Sequence, residues 1–373
     1  MQLPDFKLER YFAKYEFNAP YLLCCSDCQS FSLKEILSLE PQETKDRFEN
    51  LWLGYTEAQG SKTLRERIAG LYQNINSEEV LVHAGAEEAI FNFMNVFFNP
   101  GDHVIVQFPC YQSLIEIVQG IGCQVTKWEL KQEKNNWTID MDFLKNSIRK
   151  NTKAIIINTP HNPTGFTFTK TDLETIIGLA QEHNITLFCD EVYKYLEYDS
   201  KNRTPWICDL DQKAVSLGVM SKSFGLPGLR IGWIATKNKE VYRKMASFKD
   251  YTSICNSAPS EFLAEIALKH KEKILKRNLG IIQENLSLLE EFFAKNEHLF
   301  NWIRPQGGPI ALVELKISKP VEEFCLDLLS KKGVLLLPGN YYDFGNRHFR
   351  IGFGRKELIK GLEKFQEYIV ENY

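Results

Sequence analysis

No run of about eighteen apolar residues occurs in this 373-residue chain, so no stretch is long enough to cross a bilayer as a helix. Neither sign of charge prevails. With 45 basic residues against 48 acidic ones and a net charge of −3, the chain has no general attraction for nucleic acid or anionic lipid. Cysteine is sparse for the length: nine thiols, mostly inside apolar runs, make no disulfide framework. Cys25 and Cys28 form a C-x-x-C, but no second pair or nearby histidine completes a zinc set, and no metal is expected. No G-x-G-x-x-G opens a helix after the first strand, which disfavours a dinucleotide-dependent dehydrogenase. The opening MQLPDFKLERYFAKYEF mixes charge with apolar residues at helical spacing, unlike a secretory leader. It reads as a surface helix of a cytoplasmic protein.

What is present is ordinary globular composition, 44% hydrophobic and 25% charged, in a chain longer than one core usually organises. From about residue 60 to 260 helical and strand periods alternate, the sign of an α/β domain. Helices are predicted over Lys62–Gln73 and Glu87–Phe97, and buried strands over His103–Phe108, Ala154–Asn158, Thr186–Cys189 and Ala214–Val219. Past Phe262 comes a long amphipathic stretch, Glu265–Asn296, then strand-like runs at Pro309–Leu315 and Gly333–Leu337 and a final helix from Lys356. The expected division is an N-terminal arm joining the smaller domain (1–40), a large α/β domain (41–265) and a small α+β domain (266–373).

Ligands of open parallel sheets sit where strand carboxyl ends meet their loops, so those loops carry the chemistry. In SLGVMSKSFGLPGLRIGW a strand delivers Lys222 to a glycine-rich loop, with Arg230 eight residues on. A lysine at a buried strand end loses hydration and tends toward the neutral, nucleophilic amine. An ordinary charged surface loop is the competing explanation. Gly85 and Ala86 precede a helix whose first N–H groups suit an anion. Asn162, between a strand and Pro163–Gly165, is held in a rigid turn. Asp190 ends an apolar strand, where a carboxylate needs a cation. A reactive lysine, an anion cradle and a buried carboxylate together match the needs of pyridoxal phosphate.

The ordered set NPTG, DEVY, SKSFGLPGLRIGW and FRIGFG resembles the class I/II aminotransferases of pyridoxal-phosphate fold type I, from about Gly54 to the last helix. The resemblance implies a large, mostly parallel α/β domain beside a smaller α+β domain. It also implies a homodimer that exchanges an amino group between an L-amino acid and a 2-oxo acid. Lys222 then forms the cofactor imine and moves the Cα proton, Asp190 holds the pyridine nitrogen, and Asn162 and Tyr193 bind the phenolic oxygen. Tyr111 stacks on the ring. The phosphate falls to the backbone at Gly85, Ala86 and Glu87, to Ser221 and to Arg230, with Tyr55 reaching across from the neighbouring subunit. Arg350, inside an apolar run where a guanidinium wants a carboxylate, grips the substrate α-carboxylate.

Two departures bear on this reading. Val219 stands where the family often has a phosphate-binding serine, and CCSDCQSFSLKEIL replaces a glycine-bearing loop, so that Asp27 or Gln29 faces the substrate side chain. That segment and KDYTSICNSAPSEFLAEIAL also resemble capreomycidine synthase, a cyclase acting on a hydroxylated arginine, in which case Asp27 receives a basic side chain. The plainer expectation is a solvated loop carboxylate. Elimination, replacement or cyclisation would use the same residues as transamination. A ligand-sensing regulator is disfavoured, because the stretch before Tyr55 is too short and too little basic for a DNA-binding module.

Overall fold

The computed structural model describes residues 2–373. Eight strands form its main sheet: β1 (Val80–His83), β2 (His103–Phe108), β3 (Gln124–Glu133), β4 (Asn136–Ile139), β5 (Thr152–Asn158), β6 (Thr186–Asp190), β7 (Val215–Val219) and β8 (Gly232–Ala235). Their spatial order is β1-β8-β7-β6-β5-β2-β3-β4. The middle pairings, from β7 through β3, are parallel; β8 runs antiparallel to both its neighbours, and β4 is antiparallel to β3. Helices on both faces explain why β2, β6 and β7 are buried along their whole length, since a covered parallel sheet has no solvent side. One covering helix, Lys170–Glu182, starts at a capping box in which Thr169 and Asp172 satisfy each other's backbone N–H groups.

A second, antiparallel sheet runs in the order β9 (Phe300–Asn301), β10 (Ile310–Leu315), β12 (His348–Gly352), β11 (Leu337–Pro338). The Gly333–Leu337 run is not one strand. Val334–Leu335 pairs in parallel with Tyr21–Leu22, and the chain then switches at Leu336 to enter the second sheet as β11. This ties the N-terminal segment to the C-terminal third. The Glu265–Asn296 stretch is likewise two helices, Ala258–Lys269 and Lys271–Lys295, separated at His270.

The opening helix α1 (Lys7–Tyr15) departs from the surface role expected of it. Leu8 and Tyr11 are buried, Tyr11 Oη donates to the Leu336 carbonyl at 2.8 Å, and Lys7 Nζ lies 2.6 Å from Asp343. These contacts hold α1 across the mouth of the cavity described next.

Candidate active site

A cavity of about 570 Å³ opens at the carboxyl ends of β5, β6 and β7. Asp190, the last residue of β6, reaches it with 5% of its surface exposed and accepts from the Val192 N–H at 3.2 Å. Loss of hydration pushes its carboxyl up to about 7, against the opposing pull of that N–H and of Lys222. The native cofactor-free chain therefore keeps a proton that the unfolded chain has released above about pH 4, and stability falls as pH rises from there to about 7. Thermal melts of cofactor-free protein should show this decline, and Asp190→Asn should flatten it and gain a few kcal/mol at pH 8. Parallel curves for the two proteins would contradict the assignment.

Lys222 follows β7 and enters the same cavity, where its Nζ donates to Ser26 Oγ at 2.9 Å. Burial lowers its basicity and Arg350 adds to the effect, while Asp27 and Asp190 oppose it. The result is an amine biased toward its nucleophilic form.

Beside it lies an anion cradle. Helix α2 (Ala86–Phe97) begins after Gly85, whose φ of +92° suits glycine and at which a Cβ would lie 2.4 Å from Arg230 Nη2. The absent side chain lets the guanidinium close on the helix N-terminus. Ser221 Oγ is buried there without a hydrogen-bond partner. The Glu87 side chain also enters the cavity, accepting from Ser113 Oγ, and burial raises its carboxyl toward the protonated form, which an anion tolerates better. Val219 lines the wall as an apolar residue. Tyr111 lines it too, its ring 5.3 Å from that of Phe6.

Arg350, in β12, is 1% exposed. No carboxylate of the chain partners it: Nη1 donates to Asn162 Oδ1 at 3.1 Å and Tyr342 Oη at 2.5 Å, and Nη2 to the Cys24 carbonyl at 2.7 Å. All three acceptors are neutral, and Nε is buried without a partner. The guanidinium is oriented but its charge is uncompensated, as suits a site for an incoming carboxylate. Tyr193 Oη, 1% exposed, is also unpartnered.

Asp27 is neither a solvated loop carboxylate nor a free acceptor. It is 8% exposed and paired with Arg355 through both oxygens, at 3.0 and 2.9 Å. It belongs to a strip of four consecutive residues that each touch a different part of the site. The Cys24 carbonyl holds Arg350, Cys25 Sγ lies 3.8 Å from Glu16 Oε1, Ser26 meets Lys222, and Asp27 meets Arg355. The strip lies directly on the end of β12, where a Cβ at Gly352 would come within 1.8 Å of the Cys25 carbonyl oxygen. From above, α1 contributes Glu9 and Phe12 to the cavity lining, and Glu16, just past its end, joins them. Ser26, Tyr342, Arg355, Glu9 and Glu16 all escaped the sequence reading. Tyr55 is 85% exposed and lies outside this cavity, beside a surface hollow formed with Cys255–Pro259.

The profile of the family described as Aminotransferase class I and II matches residues 23–363. The chain belongs to the class I and II aminotransferases. An aspartate aminotransferase of Sulfurisphaera tokodaii is 29% identical over 346 residues, 88% of this chain and 85% of that protein. Capreomycidine synthase of Streptomyces vinaceus is 27% identical over 368 residues, 98% and 94% of the two chains. The crystal structure of a PLP-dependent aminotransferase from Streptococcus suis superposes with a TM-score of 0.93 at 34% identity, covering 100% of this chain and 99% of that one.

The cofactor of this aminotransferase is pyridoxal phosphate, and the cavity fits it. The unpartnered Ser221 and Tyr193 hydroxyls, the cradle at Gly85 and the buried Asp190, a carboxylate short of a cation, are groups that an anionic, pyridinium-bearing ligand satisfies. Among the described residues no helix is long and apolar enough to cross a membrane.

Proposed function

We propose that this aminotransferase acts on L-amino acids with Lys222 as its proton carrier. The observation that carries this reading is that one cavity brings together Lys222, whose amine burial makes less basic, Asp190 and the uncompensated Arg350. Bound there, pyridoxal phosphate supplies an aldehyde to capture the substrate amine and a ring that drains electrons from Cα. The protein does the rest. Arg350, held by Asn162, Tyr342 and Cys24, grips the α-carboxylate and so turns the Cα–H bond toward Lys222. Lys222 Nζ is the group placed to take that proton and to hold it for return. Asp190 would hold the ring nitrogen of the cofactor, Asn162 and Tyr193 its phenolic oxygen, and Tyr111 the face of its ring. The backbone at Gly85, Ala86 and Glu87, together with Ser221 and Arg230, would hold the phosphate.

The exposed Tyr55 completes the neighbouring subunit's phosphate site in a homodimer, a role supported by its exposure outside this chain's own cavity. The chain divides into an arm (1–40), a large domain (41–265) and a small domain (266–373). The parallel pairing of Tyr21–Leu22 with Val334–Leu335 supports grouping the arm with the small domain. Nine free cysteines, seven of them buried, suit the reducing cytoplasm.

Purified holoenzyme given single L-amino acids without an acceptor should lose its yellow absorption for that of the pyridoxamine form and release the 2-oxo acid, identified by mass. Dilution to the monomer should abolish the conversion. No conversion with any amino acid, or a fully active monomer, would overturn the respective part. A second reading, elimination or cyclisation, draws on the capreomycidine synthase likeness over 98% of the chain. It predicts no conversion of the cofactor to the pyridoxamine form: cyclisation gives a product that keeps its α-nitrogen, and elimination releases free ammonia together with the 2-oxo acid.

A further inference from the structure

The charges lining the cavity do not balance, and the imbalance lies on one side. Of its four cations, Lys222 is the reacting amine, Arg230 closes the anion cradle and Arg350 faces the α-carboxylate. The fourth, Arg355, has Nε and Nη2 bound by the two oxygens of Asp27. Among the described residues of this chain, no lining cation is left for a second substrate carboxylate. Of the five carboxylates, Asp190 faces the ring nitrogen, Glu87 is bonded by Ser113 Oγ beside the cradle with its carboxyl raised by burial, and Asp27 is spent on Arg355, whereas Glu9 and Glu16 have no salt-bridge partner among the described residues.

Glu9, Phe12 and Glu16 recur at helical spacing and form one stripe along α1 and the residue just past it, facing the cavity. Glu16 is half-buried beside Cys25 and close to the Asp27–Arg355 pair. Loss of hydration raises its carboxyl above the ordinary range, with Asp27 and Glu9 reinforcing this and Arg355 and the Cys25 thiol opposing it. A carboxylate desolvated among other carboxylates gains most from an incoming cation. The same cavity contains Tyr193 Oη and Arg350 Nε, both deeply buried and unpartnered, so the stripe is the outer end of a built ligand site.

We propose that the substrate is an L-amino acid with a cationic side chain, an ammonium or guanidinium group, received by Glu16 with Glu9 beside it. The assignment rests on the reading of Arg350 as the α-carboxylate clamp, which directs the side chain toward the strip and α1. The Asp27–Arg355 pair acts as a fixed wall that blocks dicarboxylic substrates by occupying the cation they need. Phe12, between the two glutamates, packs on the methylene stem.

The test uses stable reduced conjugates of the cofactor with amino acids, whose binding to the cofactor-free full chain is measured by calorimetry. The phosphopyridoxyl conjugates of L-lysine and L-norleucine differ only in the terminal ammonium, and that of L-glutamate supplies the opposite charge. The lysine conjugate should bind at least tenfold more tightly than the norleucine conjugate, and the glutamate conjugate more weakly than both. Glu16→Gln should cut the lysine preference to threefold or less while leaving the norleucine affinity within threefold. Equal affinities for the lysine and norleucine conjugates, a preference for glutamate, or a lysine preference that survives Glu16→Gln would overturn the proposal. Failure of every conjugate to bind would instead remove the cofactor assignment beneath it.

Discussion

Replacing Lys222 by alanine should leave a protein that still binds pyridoxal phosphate but no longer links to it. After borohydride reduction and peptide mapping, the wild-type peptide spanning residue 222 should carry a pyridoxyl group and the variant none. Noncovalent binding survives because the cradle at Gly85, the buried Ser221 hydroxyl and Arg230 are separate from the amine. Turnover should fall by about 10⁴-fold, the upper end of what a positioned general acid–base supplies. Small primary amines should restore part of that rate. Rescue should grow with the concentration of the neutral amine, because the cavity selects that form: burial and Arg350 disfavour the charged ammonium at this position. An adduct elsewhere in the chain, with turnover intact, would displace Lys222 from the centre of the reaction.

Arg350→Met should act on a different quantity. Its guanidinium is 1% exposed and contacts three neutral oxygens. Once a substrate carboxylate arrives, the pair is a buried, hydrogen-bonded one, and removing one member of such a pair costs about 3–5 kcal/mol. With tenfold per 1.4 kcal/mol, kcat/KM should drop by roughly 10² to 4 × 10³. Most of the loss should appear in the apparent KM, while the dissociation constant of the cofactor changes less than threefold. Arg350→Lys should recover little, since an ammonium cannot form the planar two-point contact. Equal weakening of substrate and cofactor would assign the residue to cofactor binding.

Much of the large sheet was legible because buried parallel strands leave continuous apolar runs: the prediction for His103–Phe108 coincides with β2 at both ends. The loops that follow such runs were therefore legible too, which is how Lys222, Asp190 and Asn162 came forward. Periodicity could not reveal the break at His270, because apolar spacing continues through both helices flanking it. It also missed the switch at Leu336, since a five-residue apolar run reads the same whether it serves one sheet or two. The Asp27–Arg355 pair joins residues 328 positions apart and leaves no local trace. For α1 the pattern itself misled. A stripe of Glu9, Phe12 and Glu16 looks like a water-facing surface, and only the fold shows that the water it meets is inside a pocket.

The four-residue strip from Cys24 to Asp27 has a mechanical corollary. It assigns one residue to each of four partners, so inserting or deleting a single amino acid between Leu23 and Cys28 would shift all four contacts out of register together. Exchanges of side chain on α1 disturb one contact at a time. Selectivity in this scaffold is thus open to gradual retuning from the helix, while the strip admits substitution but not a change of length.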